Sequence, residues 1–193
     1  AEAIVRFARE RQAAPMHVAS IGSGPAIDVE RALQQLTATE RHTVRVTLMD
    51  MDPAALDHAR GRLEPLLDEG QLHCVRENLF RMAQRNETEG HYETFDFLVC
   101  SGLFDYLDDA AVVAMLSEFW RLLSPNGEMV VFNFGPANTS RDYMEWIGNW
   151  YLIYRDAHAM MDLARQARLD HDRVSVAAED TGANLYWRAR KSS

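Results

Sequence analysis

A short glycine-containing turn is the first feature of the sequence that suggests chemistry. The apolar run over residues 16–22 ends in Gly22, which Ser23 and Gly24 follow before a helical pattern begins. Glycines let the backbone turn tightly and approach a ligand, while the free N–H groups of the next helix face that ligand. Many strand-to-helix turns use glycine only to turn, so the pair by itself leaves a structural interpretation open.

Asp50, at the end of the second apolar run, is a candidate for binding a ribose. Residues 44–50 have the pattern of a buried strand, which would end beside the glycine turn. A carboxylate at that position can accept hydrogen bonds from both hydroxyls of a ribose. Asp52 fits the N-cap of the following helix, so the sequence gives Asp50 no structural function. The turn and Asp50 together predict a nucleoside ligand.

The same residues fit a nicotinamide dinucleotide poorly. The fingerprint for that cofactor has a third glycine where this chain has Ile27. Its acidic residue follows the first glycine by roughly 20 positions, and Asp50 lies farther from Gly22 than that. A nicotinamide-dependent dehydrogenase is therefore a weak alternative, which titration with NADH would test.

The elements that must position these residues alternate between strands and helices. Strands are predicted over 16–22, 44–50, part of 71–80, 95–100 and 128–134, and helices over 1–13, 26–39, 52–67, 108–123 and 140–169. Residues 124–127 have turn composition, and the alternating runs 173–179 and 184–191 predict a hairpin. This order predicts an α/β, Rossmann-like open sheet that is mostly parallel, with an antiparallel C-terminal hairpin strand and helices on both faces.

Composition limits the classes of partner. The 193 residues carry a net charge of −9, and an acidic domain repels the phosphate backbone, so no nucleic-acid partner is expected. The two cysteines lack metal-binding spacing, as do the seven histidines, so no metal site is predicted. We find no apolar run of membrane-spanning length, no signal peptide and no internal repeat. We therefore expect residues 1–193 to form a single domain of a cytoplasmic protein, with helices before Ala1 belonging to a longer chain.

The order and spacing of these motifs resemble class I S-adenosylmethionine-dependent methyltransferases over nearly the whole chain. The resemblance implies S-adenosylmethionine as the cofactor, with its methionine part at the glycine turn, its ribose at Asp50 and its adenine beside Met51. Segment 77–79 matches the third motif of the family, and segment 101–106 after the strand FDFLVC matches the fourth. The residues implied in cofactor binding are Gly22, Ser23, Gly24, Asp50, Met51, Asn78, Leu79, Ser101 and Gly102.

Some of these positions have a structural alternative, and the chain departs from the family at others. Asn78 is also a good helix N-cap, and Leu79 a candidate core residue. Ser20 stands where the family commonly has an acid that anchors the methionine amino group. Pro25 and Ala26 replace the glycine-rich end of the turn.

An aromatic segment over residues 138–155 is a candidate wall of the acceptor pocket. Tyr143, Trp146, Trp150 and Tyr154 recur at three- and four-residue steps, which predicts one side of a helix. Packing of that side against the sheet is the structural alternative. Arg141 and Arg155 add cationic forks suited to a carboxylate, although surface arginines are usually solvated.

This segment, with GSGPA and SGLFDYL, resembles a bacterial methyltransferase subgroup that makes methyl esters of long-chain 3-hydroxy fatty acids. The resemblance implies a small-molecule acid as the acceptor, and a carboxylate ionised at neutral pH needs no general base. For a hydroxyl or amine acceptor, Asp105 and Tyr106 are the candidates to receive or steer a proton. A catalytically inactive nucleoside-binding module with the same fold is the alternative. The sequence leaves the acceptor and the oligomeric state open.

Overall fold

The structure is built on one seven-stranded sheet. It is a computed structural model, and it describes residues 1–12, 14–79, 93–170 and 173–192. The strands are β1 Met16–Ile21, β2 Val44–Asp50, β3 Leu72–Arg76, β4 Phe95–Cys100, β5 Leu123–Phe134, β6 Val174–Ala178 and β7 Asn184–Arg190. Their order in the sheet is β3-β2-β1-β4-β5-β7-β6. Strands β1 to β5 pair in parallel, and β7 pairs antiparallel with both β5 and β6. The predicted fold class is confirmed.

Helices cover both faces of this sheet. They are α1 Glu2–Glu10, α2 Ile27–Gln35, α3 Ala38–His42, α4 Pro53–Leu63, α5 Asp109–Leu122, α6 Arg141–Trp146 and α7 Ala157–Gln166, with short 3-10 turns at Glu64–Leu66 and Phe104–Tyr106. Alternate residues of β1 belong to different cores: Val18 packs with α1, α2 and α4, while Ala19 packs with α5 and α7. Both faces are therefore apolar, as the near-continuous apolar runs of the central strands require.

The strand order creates a crevice at the carboxyl ends of β1 and β4. These two strands are neighbours, although the chain passes through β2 and β3 between them. The connections that leave β1 and β4 thus run to opposite sides, and open α/β sheets bind ligands at this kind of reversal. Both predicted ligand motifs, the glycine turn and segment 101–106, lie at this crevice.

Two aspartates cap helices of this sheet, and the cap predicted at Asp52 is confirmed. The Asp52 carboxylate accepts a hydrogen bond from the Ala54 N–H at the start of α4, with Pro53 as the first helical residue. The Asp108 carboxylate accepts one from the Ala111 N–H at the start of α5. Each cap satisfies a backbone donor that the first turn of a helix leaves without an intrahelical partner.

Two predicted helices were too long. The helix predicted over 26–39 ends at Gln35, because Leu36 is extended and Thr37 starts α3 with a capping box to Glu40. The helix predicted over 140–169 is two helices, α6 and α7. Asn149 between them has a φ of +47°, and Asp156 caps α7 by accepting a hydrogen bond from the Ala159 N–H.

The predicted turn over residues 124–127 lies inside β5 as an irregularity of the strand. Phe95 of β4 pairs with Leu123 and Phe97 with Glu128, so the intervening residues of β5 leave the regular register. Asn126 takes a φ of +63° there. None of the helices in the described ranges combines the length and apolar character that crossing a bilayer would require.

Candidate active site

A cavity of about 380 Å³ lies at the carboxyl ends of β1, β2 and β4. Its volume falls within the range of small-molecule sites. The residues that line it are Gly22, Ser23, Gly24, Pro25, Asp50, Met51, Leu79, Ser101, Gly102, Leu103 and Tyr106. The structure thus brings together eight of the nine residues that the sequence assigns to the cofactor. Asn78 is exposed beside Leu79 and does not line the cavity.

The glycine turn forms the floor of this cavity. Gly22 and Gly24 have φ angles of +61° and +49°, which side chains disfavour, and the Gly22 N–H donates to the Met49 carbonyl of β2 at 2.8 Å. A Cβ at Gly22 would lie 3.4 Å from Leu103 Cβ, while one at Gly24 would meet no atom within 4 Å in the described residues. The turn is therefore close to β2 and open toward the cavity at Gly24.

The glycine turn offers a ligand the Ser23 hydroxyl and the N-terminus of α2. The Ser23 hydroxyl is buried against the cavity wall and has no hydrogen-bond partner among the described residues. Ala26, which precedes α2, has a φ of +51° and supplies no side-chain cap, and in the first turn of α2 the Val29 N–H donates to Asp28 instead. Buried hydroxyls and helix N-termini of this kind favour an anionic or hydroxyl-bearing ligand.

Asp50 has a structural function, contrary to the expectation from sequence. One carboxylate oxygen accepts a hydrogen bond from the Gly24 N–H at 2.8 Å, and the other accepts one from the Asp52 N–H at 2.9 Å. The side chain thereby ties the tip of β2 to the glycine turn. Because each carboxylate oxygen carries two acceptor sites, Asp50 keeps the capacity to bind ribose hydroxyls as well.

Tyr106 lies at the mouth of the cavity and is 51% exposed. Its hydroxyl oxygen accepts a hydrogen bond from Trp150 Nε1–H at 2.7 Å. Since indole N–H groups only donate, the phenol proton of Tyr106 is directed to another acceptor. The Tyr106 O–H is therefore available to donate a hydrogen bond, and the role of Tyr106 in receiving or steering a proton stays a prediction.

The sequence matches the family described as methyltransferase domain over residues 19–129, which is more than half of the chain. The chain belongs to this family. The matched segment contains the glycine turn, Asp50 and the loop after β4, so it carries the lining of the cavity. No curated protein sequence matches this methyltransferase domain.

Solved structures share the fold of this methyltransferase domain. A possible exported protein from Bordetella parapertussis is 20% identical, with a TM-score of 0.76, over 100% of this chain and 68% of its own. An O-methyltransferase family protein from Burkholderia thailandensis is 14% identical, with a TM-score of 0.73, over 100% of this chain and 55% of its own. The magnesium protoporphyrin IX methyltransferase of Synechocystis PCC 6803, solved with bound SAH, is 14% identical, with a TM-score of 0.67, over 99% and 80%.

Asp105 lies behind the cavity wall and does not line it. Its side chain is buried, and one carboxylate oxygen accepts a hydrogen bond from the Phe134 N–H at 2.6 Å. Burial raises the pKa of Asp105, and the hydrogen bond from Phe134 opposes that rise. The predicted catalytic pair is thus divided, because Tyr106 reaches the cavity while Asp105 joins the ends of β4 and β5.

Arg155 is a structural residue, which corrects its interpretation as a surface group for binding a carboxylate. It is only 4% exposed and donates hydrogen bonds to the Phe104 and Leu107 carbonyls, to Asn133 and to Asp109. Its guanidinium therefore holds the loop after β4 against the end of β5. Arg155 lies in the non-helical run before α7, and its partners are distant in the sequence, so the local pattern gave no signal for its burial.

The aromatic segment has a different form from the predicted helix side. Tyr143 and Trp146 lie on α6, whereas Trp150 and Tyr154 follow it in a non-helical run. The exposed apolar side chains here form what we name the aromatic surface: Tyr143, Trp146, Ile147, Trp150, Tyr151 and Ile153. Packing of the whole set against the sheet is excluded, because Trp146 is 85% and Tyr143 68% exposed.

Arg141 is occupied by neighbours at the start of this segment. Its guanidinium lies 4.5 Å from the ring centroid of Tyr154, and its Nε–H donates to Glu145 at 2.7 Å. A cation above an aromatic face, with a carboxylate beside it, is already partly neutralised. Arg141 is thus close to the aromatic surface, but its charge is shared with Glu145.

Proposed function

We propose that this chain transfers a methyl group from S-adenosylmethionine to a small-molecule acceptor. One observation supports this most: the glycine turn, Asp50 and the loop after β4 meet around one cavity in a chain of the methyltransferase domain family. When bound, the cofactor supplies an electrophilic methyl group on a sulfonium. The protein has to orient that methyl group, exclude water and align a nucleophile with it.

In this proposal the cofactor lies across the carboxyl ends of β2, β1 and β4, with its adenosine part at β2. Asp50 and Met51, at the tip of β2, receive the ribose and adenine, and Leu79 contacts the adenine from beyond β3, with Asn78 beside it. The glycine turn at the tip of β1 lies under the sulfur-bearing chain. Ser101 and Gly102, at the tip of β4, receive the amino-acid end. Tyr106 then stands nearest to the methyl group and the acceptor.

We propose a carboxylic acid with an apolar body as the acceptor. The aromatic surface extends from the cavity mouth through the hydrogen bond between Trp150 and Tyr106, and a contiguous set of exposed apolar side chains favours a binding surface. Tyr106 donates a hydrogen bond to one carboxylate oxygen and keeps its proton, and the other oxygen attacks the methyl group. Tyr143, Trp146 and Trp150 contact the apolar body, and Arg141 contributes to binding the anion with the part of its charge that Glu145 does not offset.

Calorimetric titration and a methyl-transfer assay test the two parts of this proposal. We expect the demethylated cofactor, S-adenosylhomocysteine, to bind with one site. With the labelled methyl donor, fatty and hydroxy acids should accept label, and the matching primary amides should not. Failure of the cofactor to bind would contradict the first part, and equal labelling of acids and amides the second.

An inactive nucleoside-binding module is the second candidate, and Ser20 favours it. Ser20 is buried in β1, at the position where the related methyltransferases commonly carry an acid. The candidate predicts tight binding of S-adenosylhomocysteine without transfer to any acid, amine or phenol. Transfer to any member of that panel would eliminate it.

A further inference from the structure

The proposed cofactor carries two opposite charges at its amino-acid end, and the cavity lining provides for only one of them. The N-terminus of α2 and the glycine turn present N–H groups, which suit the carboxylate. The ammonium group needs an acceptor, best a carboxylate. Asp50 is the acidic residue among the described lining residues, and it lies at the β2 end, where the ribose is proposed. This inference rests on the proposed function.

Asp28 is the carboxylate on the opposite side of the glycine turn. It lies in the first turn of α2 and is half-buried. The Ser101 hydroxyl, which lines the cavity, donates to Asp28 Oδ2 across 3.4 Å, a long and weak hydrogen bond. The negative charge of Asp28 also contributes to raising the pKa of Cys100, after burial and the charge of Asp105. The contact with Ser101 places this carboxylate against the end of β4, behind Ser101 and outside the set of residues that line the cavity.

The two oxygens of Asp28 have different surroundings. Oδ1 accepts a hydrogen bond from the Val29 N–H at 2.9 Å, which fixes the rotamer in the first turn of α2. Oδ2 has only the long contact to Ser101 among the contacts described. An ammonium group that contacts both the Ser101 hydroxyl and Oδ2 from the cavity side would form with Oδ2 a charge-assisted hydrogen bond, which is stronger than the long contact between the two side chains.

The other nearby acid is committed elsewhere. Asp105 is buried behind the wall, where the Phe134 N–H binds one of its oxygens. Ser20 of β1 is neutral and buried. We propose that Asp28 and Ser101 bind the α-ammonium group of S-adenosylmethionine, and that Asp28 thereby supplies the charge that Ser20 does not.

The test compares two ligands that differ at this end. S-Adenosylhomocysteine carries the amino-acid end, and 5′-methylthioadenosine lacks it, while both contain the same nucleoside. We expect Asp28→Asn to lower the affinity for S-adenosylhomocysteine at least tenfold and to change the affinity for 5′-methylthioadenosine less than twofold. The asparagine keeps an oxygen for the Val29 N–H, so the helix start is preserved. Glu30→Gln removes one charge from the same turn of α2, at a side chain paired with Arg62, and should change neither affinity.

A measurement on the wild-type protein covers the case in which the variant does not fold. An S-adenosylhomocysteine analogue with hydrogen in place of the amino group should bind the wild type at least tenfold more weakly than the parent compound. Equal affinity for the two compounds would overturn the inference. So would an unchanged affinity of folded Asp28→Asn for S-adenosylhomocysteine. If the wild type binds neither nucleoside, the proposed function itself fails, which is a distinct result.

Discussion

Asp50 combines two roles at the scale of a single residue, and substitution should separate it from its neighbour Asp52. Asp50→Ala removes the proposed ribose contacts, so we expect cofactor affinity to fall by at least about tenfold, or 1.4 kcal/mol. It also removes the hydrogen bonds from the Gly24 and Asp52 N–H groups, so the free energy of unfolding should fall by about 1–2 kcal/mol. Calorimetric titration and urea denaturation measure the two effects.

Asp52→Ala is the matched control for that substitution. As the N-cap of α4 it should lower the free energy of unfolding by about 1 kcal/mol and leave cofactor affinity nearly unchanged. An affinity loss in Asp52→Ala with none in Asp50→Ala would place the ribose elsewhere.

Tyr106 tests the proposed contact with the acceptor. Tyr106→Phe keeps the ring and removes the proton donor, and a hydrogen bond to a charged group contributes about 1.5–3 kcal/mol. We expect kcat/KM for an acid acceptor to fall by roughly tenfold or more, with cofactor affinity changed less than about twofold. Steady-state kinetics at varied acceptor concentration provide the measurement.

Trp150→Phe is the companion variant, because it removes the indole donor and keeps an aromatic ring. It should lower kcat/KM less than Tyr106→Phe does, since the phenylalanine keeps an apolar ring for the acceptor and loses only the N–H that orients the phenol. A larger loss in Trp150→Phe would mean that the indole, rather than the phenol, meets the acceptor.

At the scale of elements, the run between α6 and α7 is held by hydrogen bonds to distant parts of the chain. The Ile153 N–H donates to the Asp105 carbonyl, and the Arg155 N–H donates to the Phe134 carbonyl. Asn133 donates to the Ile153 carbonyl at 2.8 Å. These bonds satisfy a backbone that has left the helix, and they attach the end of the aromatic surface to β5.

Arg155→Met should therefore destabilise the fold strongly. The substitution leaves the Phe104 and Leu107 carbonyls and Asn133 without their donor, and each buried acceptor left unpaired costs about 1–3 kcal/mol. We expect the free energy of unfolding to fall by about 3 kcal/mol or more. Urea denaturation measures it, with Arg141→Met at an exposed ion pair as the control, which should change it by less than about 1 kcal/mol. A loss in the control as large as in Arg155→Met would contradict this assignment.

The same elements show what the sequence could and could not predict. Most strands were predictable because they are local apolar or alternating runs bounded by turn residues, and the glycine turn and Asp50 lie directly at the ends of β1 and β2. The start of β5 was missed, because residues 124–127 have turn composition and join the strand only through pairing with β4. The helix predicted through Trp150 and Tyr154 was wrong. The helical spacing is a local signal, whereas the backbone N–H groups of Ile153 and Arg155 donate to carbonyls that are distant in the sequence. Asp28 was missed for a similar reason: its approach to Ser101 depends on the pairing of β1 with β4.

At the scale of the whole molecule, two features of the chain bear on its partners. The net charge of −9 disfavours nucleic acid as a partner, and this stays a prediction, as does the cytoplasmic location. The chain also spans only 55% and 68% of two of the structures it resembles. For that reason, the acceptor and the partners are proposed from the residues around the cavity alone.

His17 makes the stability of the whole molecule depend on pH. This buried residue of β1 receives a hydrogen bond from Arg45 at Nδ1, 3.0 Å away, and Arg45 can only donate. Nδ1 is then unprotonated, so Nε2 carries the hydrogen and donates to the Thr47 hydroxyl at 2.8 Å. Burial, and next the charge of Arg45, lower the pKa of His17 to about 4.

Because the pKa of His17 is lower in the folded than in the unfolded chain, acid favours unfolding. The contribution of His17 is complete above the unfolded value of about 6.5 and is lost as the pH falls toward 4. Between pH 7 and pH 4.5 this loss should be about 2–3 kcal/mol. Glutamine in His17→Gln stays neutral and can still accept from Arg45 and donate to Thr47. Over the same pH interval, the free energy of unfolding of the variant should therefore fall by about 2–3 kcal/mol less than that of the wild type. Urea denaturation of both proteins at the two pH values measures the difference, in which the carboxylates common to both cancel. Parallel pH profiles would show that His17 is not the group that titrates.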